Sequence, residues 1–266
     1  MNADVADEVL KVSRLSVEIE GRFVLSNVDV SLGRREFVAV LGRSGSGKST
    51  FLKSLVGEAA LINGAKVLGD IKGPGRFGYA PQRAPLLPWL SVRENLFLAR
   101  PAHIEKKVFE ARMGELLALA DLVGIEGKKP TALSGGMRSR VSLVRSFLMD
   151  SSVLLMDEPF VGLDVVTKAR LHALTLTMWE RTQSAALFVT HDIDEALALA
   201  SRVLILRRDG TGFCFDKKLP FAHSAAPSEF HGRLHERLHG SLHERLLEAP
   251  EIRLWHKNIR ESLYES

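Results

Sequence analysis

Apolar positions in this chain follow two rhythms. Four short runs are apolar without interruption: Phe37-Val38-Ala39-Val40-Leu41, Val153-Leu154-Leu155-Met156, Leu187-Phe188-Val189 and Val203-Leu204-Ile205-Leu206. Runs of this kind are strands apolar on both faces, as in a covered, largely parallel sheet. The first three give way to polar residues at their carboxyl ends, where open α/β sheets place ligands. A glycine loop follows Leu41, Asp157 follows Met156, and Thr190-His191 follows Val189. Residues 12–20 and 23–32 alternate and predict an antiparallel sheet. From about 84 to 150 the rhythm turns helical, through 93–99, 104–122 and 137–148, which predicts a helical insert in an α/β core.

The tail breaks the pattern. Beyond Asp216 lie six of the nine histidines, and an eight-residue unit, His231 to Leu238, repeats at His239 to Leu246. A stacked solenoid needs about three repeats, so this reads as a local duplication in a helical extension. His231, His235, His239 and His243 would form one drifting stripe on a helix, beside a leucine stripe. Such histidine pairs can bind Zn²⁺, Ni²⁺ or Cu²⁺. Gly232 and Gly240 weaken that helix, and the blander reading is an amphipathic packing helix.

Composition narrows the class. With 266 residues, 45% hydrophobic, the chain can bury a sizeable core and is not disordered. The lone Cys214 excludes an internal disulfide framework. A net charge of +4 is too small a surplus to argue for a nucleic-acid partner. Asp4, Asp7 and Glu8 precede any apolar stretch, so no secretory signal is expected. Without a run of about 18 apolar residues, the chain is expected to be soluble or to reach a membrane only through a partner.

Three motifs carry chemistry. Gly42-Arg43-Ser44-Gly45-Ser46-Gly47-Lys48-Ser49-Thr50 fits G-x-x-x-x-G-K-[ST], between a strand and a helical run at 51–56. Its glycines let successive N–H groups face phosphate oxygens, and the next helix adds its positive end. Lys48 would reach the β- and γ-phosphates and the Ser49 hydroxyl would ligate Mg²⁺. Asp157 and Glu158, at a strand end, suit Mg²⁺ coordination and a general base for water; alone they could be an acidic turn. Leu133-Ser134-Gly135-Gly136-Met137 opens an amphipathic run, giving an anion site at a helix start or simply an N-cap.

In this order, phosphate loop, Leu-Ser-Gly-Gly signature, aspartate–glutamate strand and later His191, the chain resembles the ATP-binding-cassette ATPases over roughly residues 9 to 210. Gln82 in Tyr79-Ala80-Pro81-Gln82 looks like the family's glutamine after the second core strand. Gly162-Leu163-Asp164 resembles its dimer-crossing loop, and Val189-Thr190-His191-Asp192 its switch histidine. The resemblance implies an α/β fold: a P-loop NTPase core sheet, an antiparallel β subdomain, a helical insert carrying the signature and a helical C-terminal tail. It divides the chain into an ATPase domain at 1–215, with the helical subdomain at about 84–150, and a His-rich extension at 216–266.

It further implies ATP and Mg²⁺ as ligands, with two cassettes sandwiching two ATP molecules. Ser134, Gly135 and Gly136 would then act in trans, His191 would contact the γ-phosphate, Asp164 would cross the dimer, and Gln82 would sense Mg²⁺ and water. Two positions depart from the pattern. The fifth signature residue is Met137, and the adenine-stacking aromatic aligns with Ile19, leaving Phe23 as the nearest ring.

The stretch from Gln82 to Asn95, with its Leu86-Leu87-Pro88-Trp89, resembles the nitrate, sulfonate, taurine and bicarbonate importer branch. Leu87, Trp89 and Leu90 would suit a groove receiving a short membrane-subunit helix, or would equally fill the helical insert. The implied partners are a second cassette subunit as a homodimer, permease subunits and, indirectly, a solute-binding protein, at the cytoplasmic face of the cell membrane; no nucleic acid is expected. Alternatives are a soluble cassette ATPase not linked to transport and a regulatory nucleotide-binding module, the latter disfavoured by the intact Lys48, Asp157, Glu158 and His191.

Overall fold

The computed structural model describes residues 8–62, 64–82, 86–220 and 250–265. Its central sheet has six strands in the order β5-β6-β7-β3-β8-β9. These are β5 (Gly78–Ala80), β6 (Val153–Asp157), β7 (Ala185–Val189), β3 (Phe37–Leu41), β8 (Arg202–Leu206) and β9 (Phe213–Lys218). The first five run parallel, and β9 closes the edge antiparallel to β8. Every residue of β3, β6 and β7 is buried, which is why their sequences lack a polar face.

Two-residue periodicity divides these strands between two cores. Phe37, Ala39, Leu41, Leu154, Met156, Ala186 and Phe188 face a helical layer, where Phe37 meets Trp179 and Phe188 edge-on at centroid distances of 5.2 and 5.5 Å. Val38, Val40, Val153, Leu155, Leu187 and Val189 face the other way, onto α1 (Lys48–Leu55) and a second sheet. That sheet, order β2-β1-β4, is antiparallel and comprises β1 (Glu8–Ile19), β2 (Arg22–Gly33) and β4 (Ala65–Lys72).

Between β5 and β6 the chain forms α2 (Val92–Phe97), α3 (Lys106–Leu119) and α4 (Gly135–Phe147). After β6 come α5 (Val165–Thr182), α6 (Ile193–Leu199) and, at the C-terminus, α7 (Pro250–Glu265). Helix α4 starts two residues before its apolar rhythm because the Ser134 side chain accepts from Met137 N and caps it. Strand β9 runs across the 215/216 boundary expected from sequence, and α7 returns to the helical core through Ile259 and Leu263. The duplicated histidine units at 231–246 lie outside the described residues. Among the described residues no helix is long and apolar enough to cross a membrane.

Candidate functional site

The site begins where β3 ends. The loop 42–47 curls between Leu41 and α1, pressed from below by β2 and β8. Gly47 sits at φ 94°, and a Cβ there would lie 2.9 Å from Leu25 Cδ2. Gly42 is constrained by space: a Cβ would stand 2.7 Å from Ser46 Oγ and 3.2 Å from Leu206 O. Only glycine satisfies both positions, so the backbone itself forms the lining. Arg43, Ser44 and Gly45 stay exposed, and Ser46 Oγ is buried without a protein hydrogen-bond partner.

Lys48 is nearly buried at the start of α1, and its ammonium donates to Gly42 O (2.7 Å) and Arg43 O (3.0 Å). Burial pulls its pKa below the usual lysine value, against the opposing pull of Glu158 and Asp157. One residue on, Ser49 Oγ donates to Asp157 Oδ1 at 2.9 Å. Asp157 is 3% exposed at the end of β6. Burial raises its pKa, opposed by the Ser49 hydrogen bond and reinforced by Glu158. A hydroxyl and a carboxylate converging on a cleft of about 760 Å³, which Gln82, Tyr79 and Arg145 also line, is an oxygen donor set that fits a hard divalent cation.

Glu158 follows Asp157 in a left-handed conformation, φ 45°, held by its N–H to Val189 O at 3.0 Å. This turn swings its carboxylate between two neighbours. Gln82 Nε2 donates to Oε2 at 3.2 Å, and His191 Nδ1 lies 3.4 Å from Oε1. Three residues from the ends of β5, β6 and β7 thus meet around one carboxylate.

The signature stands apart. Ser134, Gly135 and Gly136 open α4, with Ser134 and Gly135 exposed and a Gly136 Cβ position 3.5 Å from Thr167 Cγ2 of α5. Asp164 caps α5 by accepting from Thr167 N at 3.0 Å and is itself exposed; hydrogen bonding from the Thr167 side chain, and then from its N–H, lowers the Asp164 pKa. Among the described residues, no hydrogen bond or ion pair joins Ser134, Gly135, Gly136 or Asp164 to the phosphate loop or Glu158. Ile19 packs against the core beneath the antiparallel sheet, while Phe23 is 57% exposed. A bulge accounts for the difference: Leu25 opposes Val17 but Phe23 opposes Glu18, leaving Val24 extra beside Gly47.

Two positions escaped the sequence reading. Fully buried Asn95 accepts from Leu87 N (2.7 Å) and donates to the carbonyls of Leu87, Leu90 and Ser91, fixing the Leu-Leu-Pro-Trp turn. In that turn Leu86 is buried and Trp89 is 66% exposed. Lys168, on α5, donates to Asp192 beside His191. No sequence spacing flags either one, because each partner is set by the tertiary fold or by turn geometry.

A family model described as ABC transporter matches residues 25–161. The aliphatic sulfonates import ATP-binding protein SsuB 2 of Nocardia farcinica is 41% identical over 214 residues, 80% of this chain and 86% of that protein. The taurine import ATP-binding protein TauB of Pseudomonas syringae pv. tomato is 40% identical over 190 residues, 70% of this chain and 73% of its own. Among solved structures, the ATP binding subunit of an ABC transporter superposes with a TM-score of 0.69 at 27% identity, covering 85% of this chain and 99% of that one. A dimeric ATP-binding cassette in a post-hydrolysis state, bound to ADP and Pi, gives 0.66 at 26% identity over 79% of this chain and 98% of its own. The family model covers half of the chain and these relatives most of it, and the chain belongs to the ABC transporter family as one of its ATPases.

Proposed function

We propose that the chain hydrolyses ATP to drive an importer of aliphatic sulfonates or taurine, bound at the cytoplasmic face of the membrane to separate permease subunits. The named relatives support the solute class, and the exposed Trp89 in its Asn95-braced turn offers an apolar contact to a permease helix. Residues 1–215 would form the ATPase and 216–266 an extension of it.

The reading of the site rests on one observation: Glu158 is held between Gln82 and His191, beside the Ser49–Asp157 pair. Backbone N–H groups of residues 42–50 and the N-terminus of α1 bind the phosphates, and Lys48 leaves its loop carbonyls for the β- and γ-oxygens. Ser49 and Asp157 would hold Mg²⁺, with Gln82 on the same cleft; the ion would neutralise phosphate charge. Glu158 takes the proton of the attacking water, and His191 orients the γ-phosphate and that water. Phe23 supplies the ring face for adenine from the bulged strand. Ser134, Gly135 and Gly136, a helix start without a phosphate of its own, complete the second copy's site together with Asp164.

The test is uptake in cells. Deletion should abolish accumulation of labelled taurine or an alkanesulfonate, and the wild-type gene should restore it. Glu158→Gln should bind ATP yet fail to restore uptake, with ATP turnover down by about 10² to 10⁴. Normal turnover in that variant refutes the base assignment, and unchanged sulfonate uptake in the deletion refutes the solute class.

A further inference from the structure

We propose that Lys168 is a positioning residue that ties the first turn of α5 to the loop carrying His191, an inference that rests on the reading of His191 given above. His191 is exposed, and its side chain meets Glu158 at 3.4 Å. Its position therefore depends on the backbone to either side, and both sides are held. Thr190 N donates to Val40 O at 3.1 Å, anchoring the loop to β3. The Thr190 hydroxyl donates to Glu195 Oε2 and accepts from Asp192 N at 3.0 Å. Asp192 caps α6 by accepting from Asp194 N at 2.9 Å.

Lys168 closes this arrangement from another element. Its ammonium lies 2.9 Å from Asp192 Oδ2 and 2.8 Å from Glu195 Oε1. Glu195 is 4% exposed, and an anion buried to that degree requires a cation or strong donors. Lys168 stands one helical turn beyond Asp164, and its N–H donates to Asp164 O at 2.8 Å. The helix that begins at the loop assigned to cross the dimer is thus joined by one side chain to the loop of the residue assigned to the γ-phosphate. Among the described residues no hydrogen bond or ion pair joins Asp164 to His191; Lys168 links the start of α5 to the loop of His191 through its ion pairs with Asp192 and Glu195. A shift of the α5 start when a second copy docks would be carried to His191 through this tether, while the phosphate loop, held by β2 and β8, would stay in place.

The test is a double-mutant cycle on full-length protein, with steady-state ATPase kinetics and thermal melts. Lys168→Met should lower kcat about tenfold or more with KM for ATP changed less than about twofold, and Lys168→Arg should restore most of the loss. Because Lys168→Met leaves Glu195 uncompensated, Lys168→Met with Glu195→Gln provides a charge-balanced version that keeps the Thr190 hydrogen bond. In a His191→Ala background, Lys168→Met should cost less than about twofold further, since its route is gone. Additive losses, or a rise in KM that accounts for the fall in kcat/KM, overturn the tether. If His191→Ala itself leaves kcat unchanged, the reading of His191 fails instead, and that result is separate from the cycle.

Discussion

Replacing Ser134 by Asp separates what the start of α4 does within its own subunit from the role proposed for it across a dimer. Within the subunit, Ser134 Oγ accepts from Met137 N at 3.2 Å and caps α4. Asp caps a helix as well as Ser does, and its charge at a helix N-terminus gains about 0.3–1 kcal/mol. The melting temperature of Ser134→Asp should therefore match or slightly exceed wild type. Ser134→Ala, which loses the cap at a cost of about 1 kcal/mol, should melt about 2–4 °C lower. Across the dimer the order reverses. A carboxylate about 4 Å from a phosphate oxygen, at an effective dielectric near 20, is repelled by about 4 kcal/mol, roughly a thousandfold per site. Ser134→Ala forfeits only a hydrogen bond there, about 1.5–3 kcal/mol to a charged acceptor. Sedimentation velocity with ATP, in a Glu158→Gln background that prevents turnover, should thus show dimers weakened by Ala and abolished by Asp. If the Asp variant dimerises as tightly as wild type, the signature does not face a phosphate; if it melts as low as the Ala variant, the capping argument is wrong.

Two further outcomes follow from the same contacts. The pKa of Asp192 lies below the usual aspartate value, because burial, which alone would raise it, is outweighed by the Lys168 hydrogen bond and charge. A depressed native pKa contributes stability above the ordinary value of about 3.9, lost as pH falls through the native value. Thermal melts from pH 7 to 3 should therefore show a steeper acid limb for wild type than for Asp192→Asn, and parallel curves would contradict this. Phe37, fully buried against Trp179 and Phe188, should cost about 3–5 kcal/mol when changed to Ala, read as a lowered urea midpoint; a loss under 1 kcal/mol would mean the core collapses around the gap.

The parts legible in the sequence are those where one local rule decides. The strands β3, β6, β7 and β8 are apolar runs interrupted only by Asp157 at the end of β6 and Arg202 at the start of β8, and each of the two cores takes alternate residues from them. Strand β4 escaped because five of its eight residues are exposed and its backbone pairing depends on β1. Strand β9 escaped because it is an edge strand with charged residues at its end. Helix α5 was missed for a different reason: Leu171, Leu174, Thr175, Met178 and Trp179 do keep helical spacing, yet Val165-Val166-Thr167 at its start is β-branched and reads as strand. The cap from Asp164 decides in favour of helix. In the site, the phosphate loop and the 157–158 pair are contiguous and so visible. The Gln82–Glu158–His191 meeting joins residues 76 and 33 positions apart, and only the parallel order β5-β6-β7 brings those strand ends together.

That order also explains why the side chains of the site are partnered with one another. Lys48 is occupied by Gly42 and Arg43 carbonyls, Ser49 by Asp157, and Glu158 by Gln82 and His191. Lys48, Ser49 and Glu158 already have protein partners, so for them binding exchanges hydrogen bonds rather than adding them, and the net gain per contact is small. The exposed loop amides, and the Ser134 end of α4 once another copy approaches, do not carry that cost to the same degree. Much of the affinity for the phosphates should then come from backbone donors and from the second subunit, while Lys48, Glu158 and His191 act chiefly on the step in which charge develops. On this argument Glu158→Gln should alter ATP binding far less than turnover, and closure of the pair should be the event that shifts the catalytic side chains from one another to the substrate.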